Sequence, residues 1–286
     1  MSLLQNNRPP QNGNQALSGS RSPGGTVGKA LDLLALTAEF RRPVRFSELC
    51  ARSTYPKATV HRLLQTLTRQ RMLAFNSDDH TYSLGLRLVR LAHAAWEQAS
   101  LAPVARPFID DLSNSIGETV HLAQLDSGHV LYVDKRNAAD PVEMFSESGR
   151  IGPAYCTGVG KAMLAFLNKS ELDEALREQS FRKFTSNTIV DEAALRRELA
   201  TIQGQGYACD NEEHEPGIVC VAAPILSPAR RVLGAVSVTA TTRLSNLEEL
   251  SKLTPWVKRT ADLIAEEAVS WQYPEQTPTV QRAGAT

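Results

Sequence analysis

Gly158-Val159-Gly160-Lys161 carries the glycines and the lysine with which a phosphate-binding loop cradles a nucleotide. The full signature is G-x-x-x-x-G-K-[ST]. Its first glycine would fall at Tyr155, and its magnesium-holding hydroxyl at Ala162. Gly24-Gly25-Thr26-Val27-Gly28-Lys29 fails in the same way, with Pro23 and Ala30 at those positions. Nucleotide hydrolysis is therefore not expected. A cysteine nucleophile is the next chemistry to test, because Cys156 or Cys220 could meet His121, His129 or His214 in the fold. Nothing in the spacing joins them, and a buried cysteine ordinarily serves as a small hydrophobe. A metal held by Cys220, Asp210 and Cys156 lacks a closely spaced His/Cys pair. No catalytic residue, metal or cofactor is expected.

A third arrangement points to binding. In the run Val232–Ala240, strand alternation sends Val232, Gly234, Val236 and Val238 to one face and Ala235, Ser237 and Thr239 to the other. In the run Ile218–Leu226, Ile218, Cys220 and Ala222 share a face, which can bring Cys220 beside those hydroxyls. Thr157-Gly158-Val159-Gly160 opens a helix whose unpaired N–H groups attract a carboxylate. Together these suggest a small organic acid as ligand. The same residues also fit a helix cap and two ordinary strand hydroxyls.

The 286 residues, 42% apolar and 22% charged, suit one large domain or two ordinary ones with a substantial core. Four cysteines without a C-x-x-C pair exclude a disulfide-dense secreted scaffold and the usual zinc ribbon. No apolar run approaches the roughly 20 residues of a membrane span, and the first twenty residues lack a hydrophobic leader segment. A cytoplasmic protein is expected, with no membrane partner. Net charge is zero, yet residues 1–90 hold 13 Lys/Arg against 5 Asp/Glu, while residues 91–286 hold 18 against 26. A net of +8 followed by −8 gives the first third the charge of a polyanion binder. A solubilising basic surface is the plainer alternative.

The elements that position these groups can be read in order. Residues 1–22 are polar and rich in turn formers, and a disordered tail carrying Arg8 and Arg21 is expected. Val27, Ala30, Leu31 and Leu34 trace one helix face, Ser47 caps a short second helix, and Pro56 opens a third that runs to about Gln70. In that third helix Val60, Leu63, Leu64 and Leu67 face the core, so Lys57, Ala58, Thr59, His61 and Arg62 lie outward on its first turns. Small, basic and hydrogen-bonding groups there suit a reader of the DNA major groove, with the solvated face of an ordinary bundle as the plainer alternative. A hairpin follows, Arg71–Phe75 and Thr81–Leu84 around Asn76–His80, and completes a winged helix-turn-helix. Asp78 and Asp79 would repel phosphate at its tip, so Arg71 and His80 are the better candidates for contact.

A linking helix is expected over Leu84–Gln98, with Leu84, Leu88, Leu91, Ala92 and Ala95 on one side. Mixed α/β grammar then sets in. Helices are predicted at 107–116, 158–168, 170–179, 192–203 and 246–270, the last started or kinked at Pro255. Strands are predicted at 119–125, 129–134, 207–210, 218–226 and 232–240, the first two joined by Asp126-Ser127-Gly128.

From Gly25 to about Trp271 the chain resembles the IclR-type bacterial transcription regulators. The matching pieces are Thr59-Val60-His61-Arg62-Leu63-Leu64, Tyr82-Ser83-Leu84-Gly85 and Gly158-Val159-Gly160-Lys161-Ala162. They continue with Gly206-Tyr207-Ala208-Cys209-Asp210-Asn211-Glu212-Glu213-His214 and with Gly217–Ile225. The resemblance implies an α+β protein: an N-terminal winged helix-turn-helix domain, a linker helix and a C-terminal GAF-like antiparallel-sheet effector domain. It implies double-stranded palindromic operator DNA as partner, bound by a homodimer or a tetramer built as a dimer of dimers. It implies an effector held at Gly158, Val159, Asp210, Cys220, Ser237 and Thr239. The chain departs from the family's Ser-x-Ser-Gly-Pro, having Ser237-Val238-Thr239-Ala240-Thr241. The segment Arg150–Gly158 looks like members that sense sugar acids such as ketodeoxygluconate.

Boundaries are accordingly expected at 1–22 for the tail, 23–85 for the DNA-binding domain and 86–103 for the linker helix. The effector domain would take 104–271 and a flexible tail 272–286. The contacts assigned to DNA are Lys57, Ala58, Thr59, His61, Arg62 and Arg71. The expected function is a ligand-responsive regulator of a catabolic operon. An enzyme would show turnover without DNA, and a signalling module without a DNA role would show no salt-dependent duplex binding.

Overall fold

A computed structural model of the chain describes residues 25–138 and 146–270, which divide into two compact units, one up to Ala94 and one from Ala95. The tails expected at 1–22 and 272–286 lie outside the described residues.

The first unit opens with α1 (Gly25–Glu39). Its buried side is not the Val27-Ala30-Leu31-Leu34 stripe. Leu33 and Thr37 are buried, Ala30, Leu34 and Leu36 pack beside them, and Val27 and Leu31 are 74% and 56% exposed. The run Leu31-Asp32-Leu33-Leu34-Ala35-Leu36 offers two overlapping apolar faces, so packing chooses between them. Thr37 can be buried because its hydroxyl donates to the Leu33 carbonyl at 2.8 Å. The two-residue β1 (Val44–Arg45), too short to show a period, was not foreseen. In α2 (Phe46–Arg52) the Arg45 N–H donates to Glu48 Oε2 at 2.9 Å, so Ser47 lies inside the first turn rather than capping it.

α3 (Lys57–Arg69) begins just after Pro56 and buries Val60, Leu63, Leu64 and Leu67, as their spacing predicts. β2 (Leu73–Asn76) and β3 (Thr81–Leu84) form the wing hairpin, in a sheet of order β1-β3-β2. Gly85 closes this unit tightly. A Cβ there would stand 2.2 Å from the Arg71 carbonyl oxygen, so only glycine fits.

α4 (Leu86–Ala99) carries no buried residue. The side predicted to be apolar is not covered by the described residues: Leu84 and Leu91 are exposed, and only Leu88 and Trp96 of the helix are half-buried. The next helix starts earlier than Pro107. α5 (Ala102–Ile116) includes that proline, and the complete burial of Ala102, Ala105 and Ile109 along one side offsets the missing hydrogen bond.

The second unit is built on one antiparallel sheet. Its strands are β4 (Thr119–Asp126), β5 (His129–Arg136), β6 (Ile151–Gly152), β7 (Ala208–Asn211), β8 (Ile218–Leu226) and β9 (Val232–Thr241), in the order β6-β5-β4-β9-β8-β7. Between β6 and β7 run α6 (Gly158–Leu164), α7 (Lys169–Arg177) and α8 (Glu192–Gln205). α6 stops short of the predicted 168 because Asn168 caps α7: its Oδ1 accepts from Glu171 N–H at 3.0 Å, and Glu171 Oε2 accepts from Asn168 N–H at 3.1 Å. The single final helix expected over 246–270 is two, α9 (Leu247–Ser251) and α10 (Thr254–Glu267), with Pro255 in the first turn of the second.

Alternation along the central strands separates two cores. Val219, Val221, Ala223, Val236 and Val238 pack with residues of α5 and α10 on one face. Ala222 and Ala235 pack with residues of α6, α7 and α8 on the other. Among the described residues no helix is long and apolar enough to cross a membrane.

Candidate functional site: an outward helix face and a polar cavity

On α3 the sequence-predicted residues separate by position. Lys57, Ala58, His61 and Arg62 are exposed along the first two turns, opposite the buried leucines, while Thr59 is half-buried. Pro56 supplies no side-chain cap, leaving the backbone donors of that first turn without a local side-chain acceptor. The His61 ring packs edge-on against Phe46 with centroids 5.9 Å apart, which ties α3 to α2. Arg71 does not join this group. It sits in the turn beyond the far end of α3 at φ 57°, about 20 Å along the helix axis from Lys57. Two nearby cations are already matched: Arg42 meets Glu48 at 2.5 Å and Arg52 meets Glu39 at 2.6 Å. The wing tip is acidic as read, with Asp78 N–H donating to Asn76 Oδ1 at 2.9 Å.

The six residues expected to hold an effector, Gly158, Val159, Asp210, Cys220, Ser237 and Thr239, all line one cavity between α6 and the sheet. Register brings them together: Cys220 pairs with Thr239 and with Asp210, and Ala222 pairs with Ser237. α6 lies directly on β8. A Cβ on Gly158 would come 2.4 Å from Cys220 Sγ, and one on Gly160 would come 2.4 Å from the Ala154 carbonyl. The glycines that resemble a phosphate loop are thus packing glycines. The lysine of that motif is a structural cation. Lys161 is fully buried, 2.5 Å from Glu213 Oε1 and 3.3 Å from Glu198 Oε1. Burial opposes its charge, but the charge and hydrogen bond of Glu213, with Glu198, hold its pKa above the ordinary lysine value.

The cavity also takes residues that sequence reasoning did not place there: His121, Tyr132, Ser146, His214 and Glu215. His121 faces Ser237 across the β4–β9 pairing, a register that no local pattern reveals. Its Nε2 lies 2.7 Å from Ser146 Oγ and its Nδ1 3.2 Å from Thr239 Oγ1, so its partners are hydroxyls. Burial, with the Lys135 charge, lowers its pKa to about 3, and burial lowers that of His214 to about 4. Both imidazoles are neutral near pH 7. Burial raises the Cys156 and Cys220 thiols and the Tyr132 phenol, keeping all three protonated. These thiols are poor nucleophiles.

Among the lining carboxyls, that of Asp210 is raised far above the ordinary carboxylate range. Burial is the chief cause lifting it to about 7, against a hydrogen bond that its Oδ1 accepts from Glu213 N–H at 2.8 Å. Among the described residues no cluster of three or more His, Cys, Asp or Glu could hold a metal. The cavity measures about 30 Å³, and a water needs about 10–15 Å³, so an organic ligand enters only if its walls part.

Comparison with known proteins identifies the family. A family model for the IclR helix-turn-helix domain matches residues 26–77, and one for the C-terminal part of bacterial IclR transcriptional regulators matches residues 93–266. The regulator XynR of Escherichia coli is 32% identical over 224 residues, covering 78% of this chain and 89% of its own length. KdgR of the same organism is 30% identical over 249 residues, covering 87% and 94%. The crystal structure of Thermotoga maritima IclR superposes with a TM-score of 0.68 at 28% identity, over 85% of this chain and 98% of that one. The chain belongs to the IclR family, and is a helix-turn-helix transcription regulator and not an enzyme.

Proposed function

We propose that the protein is a cytoplasmic, ligand-responsive regulator of a catabolic operon. A winged helix-turn-helix over 23–85 grips a palindromic operator, a linker over 86–103 contains helix α4, and a domain over 104–271 binds a small organic or sugar acid. The observation that carries this reading is the convergence of Gly158, Val159, Asp210, Cys220, Ser237 and Thr239 on one cavity. Its described lining holds hydroxyls, a phenol, a thiol, neutral imidazoles and the carboxyls of Asp210 and Glu215, with no lysine or arginine, so an acid would be met by neutral donors and by Asp210 in its protonated form.

A second copy of the chain is the natural partner for α4, whose Leu86 and Val89 are 83% and 64% exposed. It would place two α3 helices one DNA turn or a multiple of it apart. Because the cavity must open to admit a ligand, occupation favours one arrangement of the protein over another, and operator affinity follows that shift in population. Thermal-shift screening against small carboxylic and sugar acids tests the effector reading. A selective ligand raises the melting temperature by mass action, and a flat profile across the panel contradicts the reading.

Two substitutions separate the functions. Arg62→Ala is expected to weaken specific operator binding by about 1–3 kcal/mol, the worth of a base contact. An unchanged operator titration removes Arg62 from the interface. Ser237→Ala is expected to abolish the response to ligand while operator binding stays intact. A fully responsive mutant would place the effector elsewhere.

A further inference from the structure

His121 holds two cavity hydroxyls at once. Ser146 Oγ is 2.7 Å from its Nε2 and Thr239 Oγ1 is 3.2 Å from its Nδ1, all three side chains are buried, and all three line the same cavity. A neutral imidazole carries one N–H and one lone pair. Whichever nitrogen bears the proton, one of the two hydroxyls must donate to the ring and the other must accept from it. The hydroxyl that donates has committed its hydrogen and offers the cavity lone pairs only. The hydroxyl that accepts keeps its hydrogen for the cavity.

Several features hold this arrangement in place. Tyr132 packs edge-on against the imidazole at 5.6 Å, which fixes the ring plane. His121 and Thr239 lie on adjacent strands, with Thr119 paired to Thr239 two residues before His121 is paired to Ser237. Burial keeps the imidazole neutral, its pKa lowered to about 3. A protonated ring would donate from both nitrogens and leave both hydroxyls as donors.

We infer that His121 is a specificity-determining residue of the cavity: by committing Ser146 and Thr239 to opposite hydrogen-bonding roles, it selects acids that carry a hydroxyl over matched acids that lack one. This rests on the reading of the cavity as the effector site. A hydroxy acid offers its O–H to the hydroxyl that presents lone pairs, and a carboxylate or carbonyl oxygen to the one that retains its hydrogen. A plain acid leaves a buried oxygen unpaired, and buried polar groups left unpaired are what give hydrogen-bonding sites their discrimination.

The test is calorimetric titration of the full-length wild type and of His121→Phe with two matched pairs, lactate against propionate and gluconate against hexanoate. In the wild type the hydroxylated member of at least one pair binds at least about tenfold more tightly. In His121→Phe that ratio falls towards one. Equal binding within both pairs by the wild type overturns the inference, as does an undiminished ratio in the variant. Should no acid bind the wild type at all, the effector-cavity reading fails beneath it, an outcome distinct from equal binding.

Thr239→Val, which keeps the ring, is the second variant should the first lose operator binding, and it is expected to lower the same ratio. The nitrogen-15 spectrum of the wild-type ring gives an independent readout. One protonated and one bare His121 nitrogen are expected from pH 5 to 8, and two protonated nitrogens contradict the proposal.

Discussion

Replacing Lys161 by methionine is expected to destabilise the larger unit by about 3–5 kcal/mol, the cost of removing one partner from a buried ion pair. The ammonium is fully buried between Glu213 at 2.5 Å and Glu198 at 3.3 Å, and Glu213 Oε2 is a buried oxygen with no hydrogen-bond partner among the described residues. Without the lysine, the Glu213 carboxylate stays out of water with its counter-charge gone. The damage reaches the cavity as well, since the backbone N–H of Glu213 anchors Asp210. The double substitution Lys161→Met with Glu213→Gln is expected to recover much of the loss, because neither charge remains to be desolvated. Denaturant titration of the three proteins checks both statements. A loss below about 1 kcal/mol for Lys161→Met, the range of an exposed pair, would mean that water reaches the ammonium.

Binding of an acid effector is expected to weaken about tenfold for each pH unit above 7, and to be nearly independent of pH below about 6. The cause is Asp210, whose carboxyl is lifted to about 7 chiefly by burial. The charges of Glu213 and Glu215 also raise it, while Lys161 and the Glu213 N–H act in the opposite sense. A carboxylate entering beside Asp210 favours the protonated form, so a proton is taken up with the ligand. His121 and His214 are neutral throughout this window, and Tyr132 and Cys220 remain protonated, so none of them supplies the slope. Asp210→Asn should flatten the profile.

The same shift acts on stability. The folded-state pKa of Asp210 lies above its ordinary value of 3.8. Its contribution is therefore fully present below about pH 4 and is lost as pH rises to about 7. Calorimetry with the tightest acid from the screen, in buffers of different ionisation enthalpy, reads the proton uptake directly. An affinity unchanged from pH 6 to 9 would show that the carboxyl does not face the ligand.

Local periodicity carried much of the architecture. The core face of α3 and the alternation on β8 and on β9 from Gly234 onward follow from spacing, whereas a register shift at Ile225/Leu226 turns Val232 to the face of Ala222 and Ala235. Cys220, Ser237 and Thr239 meet in the cavity because a two-residue period fixes which way each points. Legibility ended where choices were non-local. α1 has enough leucines for two faces, and only packing selects Leu33. Proline at 107 reads as a helix start, yet burial of Ala102 and Ala105 extends α5 beyond it. His121 enters the cavity through a pairing with β9 more than a hundred residues away. Lys161 finds its acidic partners 37 and 52 residues downstream, so its motif suggests a phosphate that its surroundings do not provide for.

The central claim is that the basic first third holds duplex DNA and that an acid bound in the second unit changes that hold. Fluorescence anisotropy on a duplex selected by the protein from its own upstream regions, titrated between about 50 and 200 mM salt, tests it most directly. The account predicts tight binding at low salt, an affinity falling at least about tenfold across that range, and a further shift on adding the acid identified by thermal screening. Absence of binding to any duplex at low salt, or binding that ignores every such acid, would contradict it.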